Sequence, residues 1–263
     1  MKLTIYQVDA FAERPFSGNP AGVCVMEQRL EDKFMQQIAM EMNLSETAFL
    51  VREGEGYQLR WFTPTVEVEL CGHATLASAH ILWEKTFLKH DQIAVFNTAS
   101  GILYASRKGN IIELDFPARP EQQADPPPGL LEALKIKSLY TGKSKFDYLI
   151  LAESEDIIRS LQPDFKLLAN VPARGVMVTS RSSSDHYDFV SRFFAPAAGI
   201  NEDPVTGSAH CTLGPFWSKR LNKTEFTAYQ ASRRGGIVHV RYAHNRVYLG
   251  GHAVTVIEGT FYL

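Results

Sequence analysis

The sequence predicts an α+β protein built from two similar lobes, each a mixed β-sheet wrapped around a central helix. Three observations support this prediction. A pentad recurs, since Arg60-Trp61-Phe62-Thr63-Pro64 is matched by Arg192-Phe193-Phe194-Ala195-Pro196. Each pentad is followed by a glycine-containing turn that opens an alanine-rich segment. Strand-like and helix-like patterns then follow the same plan around both pentads.

The length of the chain agrees with a duplicated architecture. At 263 residues it suits two domains of about 130 residues each. The proline-rich stretch 119–129 cannot continue a helix or a central strand, so we predict that it links the lobes. The predicted lobes are residues 1–118 and 129–263. The prediction includes the option that the last strand of the second lobe packs against the first lobe.

In the first half, period-two and β-rich runs predict strands over 2–11, 21–26, 47–51, 58–62 and 66–70. The apolar spacing from Leu30 predicts an amphipathic helix that ends near Asn43. The segment 74–83 is apolar nearly all round, so the helix predicted there should be enclosed by protein.

The second half repeats this plan. We predict strands over 148–151 and 175–179, a helix near 185–192, and a helix over 209–221. The tail is predicted to form three strands, over 236–242, 246–249 and 254–263.

Charge excludes several classes of partner. The 27 basic and 29 acidic side chains give a formal charge of −2, which favours neither nucleic acid nor an anionic membrane. The short basic cluster Lys143-Ser144-Lys145 is interpreted as solvated loop charge.

Cysteine usage and hydropathy indicate the compartment. Three widely spaced cysteines, Cys24, Cys71 and Cys211, argue against a disulfide framework. The first residues lack the apolar core of a signal peptide, and no run reaches the roughly 20 apolar residues of a membrane span. We therefore expect a soluble, cytoplasmic protein.

The two repeated turns are the first candidate functional features. Gly72 and Gly207 each stand just ahead of a predicted helix, where backbone N–H groups lack intrahelical partners, and Ser208 adds a hydroxyl donor. Two such turns form a cradle suited to a carboxylate. The alternative is that the glycines only permit tight turns and that Ser208 caps a helix.

Three titratable residues are candidates for proton transfer. Glu46 lies between a helix end and an apolar strand, where desolvation would make it a useful general base, although a surface carboxylate is the alternative. His73 begins the buried helix, which favours a neutral ring, although a structural histidine fits equally well. Asp203 precedes Pro204, which also suits a simple helix N-cap.

Cys71 allows two further interpretations. As a thiolate at a helix N-terminus it would be a base or nucleophile. With His73, His80, Asp203, His210 and Cys211 it would help to build a metal site, but no pair shows the compact spacing of a zinc motif, so the sequence predicts no metal.

Four segments together resemble the phenazine-biosynthesis PhzF-like isomerase family, whose fold is that of diaminopimelate epimerase. In order along the chain they are Gly18-Asn19-Pro20-Ala21-Gly22-Val23, Leu44-Ser45-Glu46-Thr47-Ala48-Phe49, the stretch from Phe62-Thr63-Pro64 to Cys71-Gly72-His73-Ala74-Thr75, and Glu202-Asp203-Pro204-Val205-Thr206-Gly207-Ser208-Ala209.

The resemblance implies a role for each matching residue. Glu46 would be the general acid/base, with His73 and Asp203 as the other catalytic residues. Substrate-binding positions would be Ser208, Gly72, Gly207, Ser45 and Asn19. The resemblance also implies a cleft between two lobes, a homodimer, and isomerisation of a small carboxylated substrate without metal or organic cofactor, as in trans-2,3-dihydro-3-hydroxyanthranilate isomerase.

Two other functions stay open at this point. An amino-acid epimerase or racemase would use the same scaffold, but its two-thiol version requires a second cysteine where this chain has Thr206. A non-catalytic protein that binds a small ligand is the other alternative.

Overall fold

The computed structural model describes residues 2–262. In chain order, the elements are β1 Lys2–Ala10, β2 Asn19–Met26, α1 Asp32–Met42, β3 Glu46–Glu53, β4 Gly56–Phe62, β5 Glu67–Val68, α2 Gly72–Glu84, β6 Ala94–Thr98, β7 Gly101–Lys108, β8 Ile111–Pro117, β9 Gln122–Gln123, α3 Leu130–Leu134, β10 Tyr140–Lys143, β11 Asp147–Leu151, α4 Glu155–Ser160, α5 Phe165–Leu168, β12 Gly175–Arg181, β13 Phe189–Ala195, β14 Ile200–Asp203, α6 Gly207–Leu221, β15 Glu225–Gln230, β16 Gly236–Ala243, β17 Arg246–Gly251 and β18 Ala253–Tyr262.

The chain forms two compact units. The first comprises Met1–Asp115 and Gly250–Leu263, and the second comprises Phe116–Leu249. The tail belongs to the first unit because β18 runs antiparallel along the whole of β1, from Lys2 opposite Tyr262 to Ala10 opposite Ala253. The end of the predicted last strand, Leu263, lies outside the described residues.

Both units repeat one strand order. In the first, β1 is antiparallel to β2, β2 is parallel to β3, β3 is antiparallel to β4, and β4 is parallel to β6. In the second, the same four relations join β10 to β11, β11 to β12, β12 to β13, and β13 to β15. A parallel pair needs a crossover, which helices supply at matching places: α1 and α2 in the first unit, α4 with α5 and α6 in the second.

Helices α2 and α6 are the buried helices that the sequence predicts. Ten of the 13 residues of α2 are buried, and ten of the 15 in α6. Helix α1 instead buries one face, through Met35, Ile38 and Ala39, and ends at Asn43 in the left-handed conformation. No helix among residues 2–262 has the length and apolar character needed to cross a membrane.

The arginine of each repeated pentad makes a two-point ion pair with a glutamate. Arg60 donates from Nε and Nη2 to the two carboxylate oxygens of Glu67, both at 2.6 Å. Arg192 does the same to Glu202, at 2.6 and 2.9 Å. Each guanidinium also lies over the aromatic ring two residues further along, at 5.1 and 5.0 Å. The repeated arginine therefore ties the inner strand to the short strand that follows it.

This pair of arginines gives a matched stability test. We expect Arg192→Met to lower the free energy of unfolding by about 2–4 kcal/mol, and Arg60→Met by about 1 kcal/mol. Arg192 is 11% exposed and also donates to the carbonyls of Ile158 and Leu161, so its loss leaves a mostly buried carboxylate unpaired. The partners of Arg60 are 39% and 62% exposed, so water screens them. Urea unfolding measures both values, and equal losses would contradict the argument.

Two predicted elements differ from the structure. The helix predicted near 185–192 is wrong, because residues 189–195 form β13, a central strand between β12 and β15. The strand predicted over 66–70 is shorter in the structure, where only the two residues of β5 are extended and paired, and Val66 is 55% exposed.

Candidate active site

The first unit brings three of the predicted site residues, Glu46, Gly72 and His73, to the start of α2 together with Cys71. Glu46 is the first residue of β3 and lies opposite Ala21 of the parallel strand β2. Cys71 is the N-cap of α2, and Gly72 and His73 form its first turn. Since the Cys71 side chain makes no capping hydrogen bond to the helix, the first-turn N–H groups keep the partial positive charge of a helix N-terminus.

Glu46 and His73 are in direct contact. The Nε2 atom of His73 lies 3.2 Å from Oε2 of Glu46, and the two side chains are 6% and 14% exposed. The two atoms are in close contact, although their alignment falls short of a hydrogen bond. Neither residue is a freely solvated surface group.

Asn19 determines which nitrogen of the His73 ring carries the proton. Its Nδ2 lies 3.2 Å from Nδ1 of His73, and its Oδ1 accepts a hydrogen bond from Ser45 Oγ at 3.5 Å. An amide nitrogen only donates, so Nδ1 of His73 is the acceptor. The proton of the neutral ring is therefore on Nε2, the nitrogen that faces Glu46.

Burial keeps His73 neutral. The side chain is 6% exposed, and desolvation lowers the pKa of His73 from 6.5 to about 3.

The low pKa of His73 predicts how stability depends on pH. The unfolded chain binds a proton at this residue as the pH falls through 6.5, whereas the folded chain binds it only near 3. Protonation of His73 in the unfolded chain should therefore lower the free energy of unfolding as the pH falls from 6.5 to about 3. Above this range, His73 should cause no loss of stability. An NMR titration should show no change at His73 between about pH 8 and pH 5. A midpoint near 6.5 would contradict this.

Cys71 belongs to the same cluster. Its Sγ lies 3.5 Å from Nδ1 of His73. Glu46, Cys71 and His73 each offer a ligand atom within 4.8 Å of the others. Of the six residues that the metal interpretation groups, only Cys71 and His73 fall in such a cluster among the residues that the structure describes. Both ring nitrogens of His73 already face protein groups, Asn19 and Glu46.

The second unit presents the matching turn at the start of α6. Thr206 is the N-cap, and Gly207 and Ser208 form the first turn, again without a capping hydrogen bond from the N-cap side chain. The N-cap interpretation of Asp203 is wrong, because α6 begins after Thr206. Asp203 ends β14, and its carboxylate accepts a hydrogen bond from the Thr206 hydroxyl.

Gln230 holds this turn in place, and it is not among the residues predicted from the sequence. The side chain is fully buried; its Oε1 accepts from Thr206 N at 2.8 Å, and its Nε2 donates to Asp203 O at 2.7 Å. Nothing in the local sequence marks it, since it acts from the far end of β15.

Arg174 is a second positioning residue that is not among the predicted site residues. Its Nη2 donates to Ser208 Oγ at 2.9 Å, and its guanidinium forms a two-point pair with the buried carboxylate of Asp147. A signal was available: Pro172-Ala173-Arg174-Gly175-Val176 matches Pro20-Ala21-Gly22-Val23 except for the added arginine.

Comparison with known proteins identifies relatives over the full chain. The family description "Phenazine biosynthesis-like protein" (PhzC-PhzF) matches residues 8–259. An uncharacterized isomerase of Halalkalibacterium halodurans is 55% identical, with all of both chains covered. An uncharacterized isomerase of Pseudomonas aeruginosa is 51% identical, with 98% of each covered. The crystal structure of a PhzF-family phenazine biosynthesis protein from Enterococcus faecalis is 44% identical, with a TM-score of 0.96 and full coverage of both chains.

These similarities define the class of protein first. The α+β architecture is the diaminopimelate epimerase-like fold, which solved epimerase structures share, and the enzyme class is that of an isomerase. The chain belongs to the PhzC-PhzF family. The predicted resemblance, fold and enzyme class are thereby confirmed.

Proposed function

We propose that this isomerase moves a proton between carbon atoms of a small carboxylated substrate, with Glu46 as the general acid/base. The observation that carries the proposal is the line of contacts from Asn19 through His73 to Glu46 at the start of the buried helix α2. It places a carboxylate beside a neutral N–H donor and close to a helix N-terminus, which together suit carbon deprotonation.

The proposed reaction begins with ionised Glu46. Its carboxylate takes a proton from an activated carbon of the substrate and returns a proton to another carbon, which shifts a double bond. The negative charge that develops on the substrate would be stabilised by the first-turn N–H groups of α2. His73, with Nε2–H beside Oε2, holds the Glu46 carboxylate in place through both steps.

The second unit contains the remaining residues that the family resemblance assigns to the site. Because Ser208 Oγ accepts from Arg174, its own hydrogen is left to donate elsewhere. We propose that Ser208 binds the substrate and that Asp203 handles protons on its heteroatoms, as the family resemblance implies. Gly72, Gly207, Ser45 and Asn19 complete the proposed set, and the expected homodimer, the cytoplasmic location and the cofactor-free chemistry stay predictions.

The epimerase alternative loses support in its two-thiol form. Cys71 and Thr206 are the N-caps of α2 and α6, so the two helix starts present one thiol and one hydroxyl. Burial raises the pKa of the Cys211 thiol to about 12, which makes it a poor base substitute.

The proposal is tested by a ligand screen in deuterium oxide. Carboxylated cyclic dienes and amino acids are incubated with the enzyme and followed by NMR. We expect deuterium to enter a carbon position of a diene together with a shift of its double bond. Exchange at the α-carbon of an amino acid with loss of optical rotation would favour the epimerase instead. Ligand binding without any exchange would favour a non-catalytic binding protein.

A further inference from the structure

Three cations of the second unit converge on one aromatic ring. Arg119, Lys145 and Arg174 lie over the ring of Phe146, with charged groups 5.0, 5.0 and 5.4 Å from its centroid. Any two of the three charged groups are therefore separated by at most about twice the distance from group to centroid. That separation is comparable to the Debye length of roughly 8 Å at physiological salt. Like charges so close repel one another unless an anion lies among them.

Among residues 2–262, protein carboxylates neutralise one of the three cations. Arg174 is paired with the buried Asp147. Neither Arg119 nor Lys145 forms an ion pair with any residue between 2 and 262 that the structure describes. Glu121, two residues beyond Arg119, is buried and accepts instead from the Tyr140 hydroxyl, at 3.5 Å. The cluster therefore keeps an excess of two positive charges.

This cluster lies at the start of α6. Arg174 donates to Ser208 in the first turn, and the backbone N–H of Arg119 donates to the carbonyl of Cys211, at 2.9 Å. Arg119 and Arg174 also oppose the effect of burial on the pKa of the Cys211 thiol, as cations close to that turn would. Side-chain cations, the Ser208 hydroxyl and a helix N-terminus are thus gathered in one region of the second unit.

Space for a small molecule adjoins this region. A cavity of about 440 Å³ is lined by Lys145 together with Lys143, Ser144 and parts of the segment 120–124. This volume is within the range of small-molecule sites. The sequence pattern predicts solvated loop charge for these lysines, whereas the position of Lys145 over Phe146 argues for a different role.

We propose that Arg119, Lys145 and Arg174 form an anion-binding site around Phe146, which takes a carboxylate or phosphate group of a small-molecule ligand. Arg174, fixed by Asp147, orients the site and the Ser208 hydroxyl, whereas Arg119 and Lys145 supply the uncompensated charge. If the proposed function is correct, this ligand is the substrate. Only the identification of the ligand therefore rests on the proposed function. The site itself does not.

The site is tested with inorganic phosphate and with malonate, which separate the two anion chemistries. Each is titrated into the protein at low ionic strength, and backbone amide shifts are followed by NMR. We expect saturable shifts at Phe146 and Ser208. The double variant Arg119→Met with Lys145→Met should weaken binding at least about tenfold, since charge-assisted contacts are lost. Methionine keeps the aliphatic contact with the ring, so the fold should be retained.

A matched control removes the same charge elsewhere in the second unit. Lys166→Met with Lys219→Met should change affinity less than about twofold. Absence of saturable binding of both anions, or equal weakening in both double variants, would overturn the site. Binding is read without turnover, so failure of proton exchange at Glu46 and failure of this site are separate results. If the ligand is the substrate, the Arg119 and Lys145 variant should raise KM far more than it lowers kcat.

Discussion

Glu46→Gln is expected to lower proton exchange into substrate carbon by about 10²–10⁴-fold, the usual contribution of a positioned general acid/base. The amide has nearly the same shape as the carboxylate but cannot accept a proton from carbon at neutral pH. Its oxygen can still face the Nε2–H of His73, so the fold and ligand binding should be retained. The measurement is the rate of deuterium incorporation into the substrate identified by the screen, together with its dissociation constant.

The matched control is Glu41→Gln, which makes the same change on an exposed residue of α1. It should leave exchange and binding unaltered. Retained exchange in Glu46→Gln would exclude Glu46 as the acid/base, and unchanged biological effect without turnover would favour a binding protein. Loss of both binding and fold would show that Glu46 is structural.

Asn19→Asp is expected to reverse the His73 tautomer and to lower exchange by about 10²-fold, the lower end of an acid/base effect. A carboxylate at position 19 only accepts hydrogen bonds when ionised, so Nδ1 of His73 would become the donor. Its Nε2 would then present a lone pair to Glu46, and the two acceptors would repel each other. Asn19 is thus proposed as a positioning residue that acts through His73.

The ring nitrogens report this change directly. NMR of nitrogen-labelled histidine should show Nε2 protonated in the wild type and Nδ1 protonated in Asn19→Asp. Asn110→Asp, an exposed change in the same unit, should leave both signals unmoved. If exchange falls while the tautomer is unchanged, the role assigned to Asn19 is wrong.

Local patterns in the sequence predicted much of the fold. The buried helices could be predicted because α2 and α6 are apolar nearly all round, and the repeat could be predicted because a pentad marks the same inner strand twice. The error at 189–195 has a physical reason. A short apolar run that is buried on both faces, as β13 is, has no periodicity that separates it from a helix.

The predicted site residues of the first unit could be found because they lie in short motifs. Contacts that position them depend on long-range pairing, which local patterns do not contain. Gln230 reaches the turn at Thr206 from 24 residues away, and Arg174 reaches Ser208 from 34 residues away. The role of Asn19 likewise required the distance from its amide to a ring 54 residues along the chain.

The pairing of β18 with β1 has a consequence for biosynthesis. All elements of the second unit leave the ribosome before β18, so that unit can finish folding while the first still lacks a strand. Until β18 arrives, one side of β1 presents unpaired backbone groups, the kind of edge that favours aggregation. Completion of the first unit is thereby deferred until β18 has been translated, even though most of its residues are translated first.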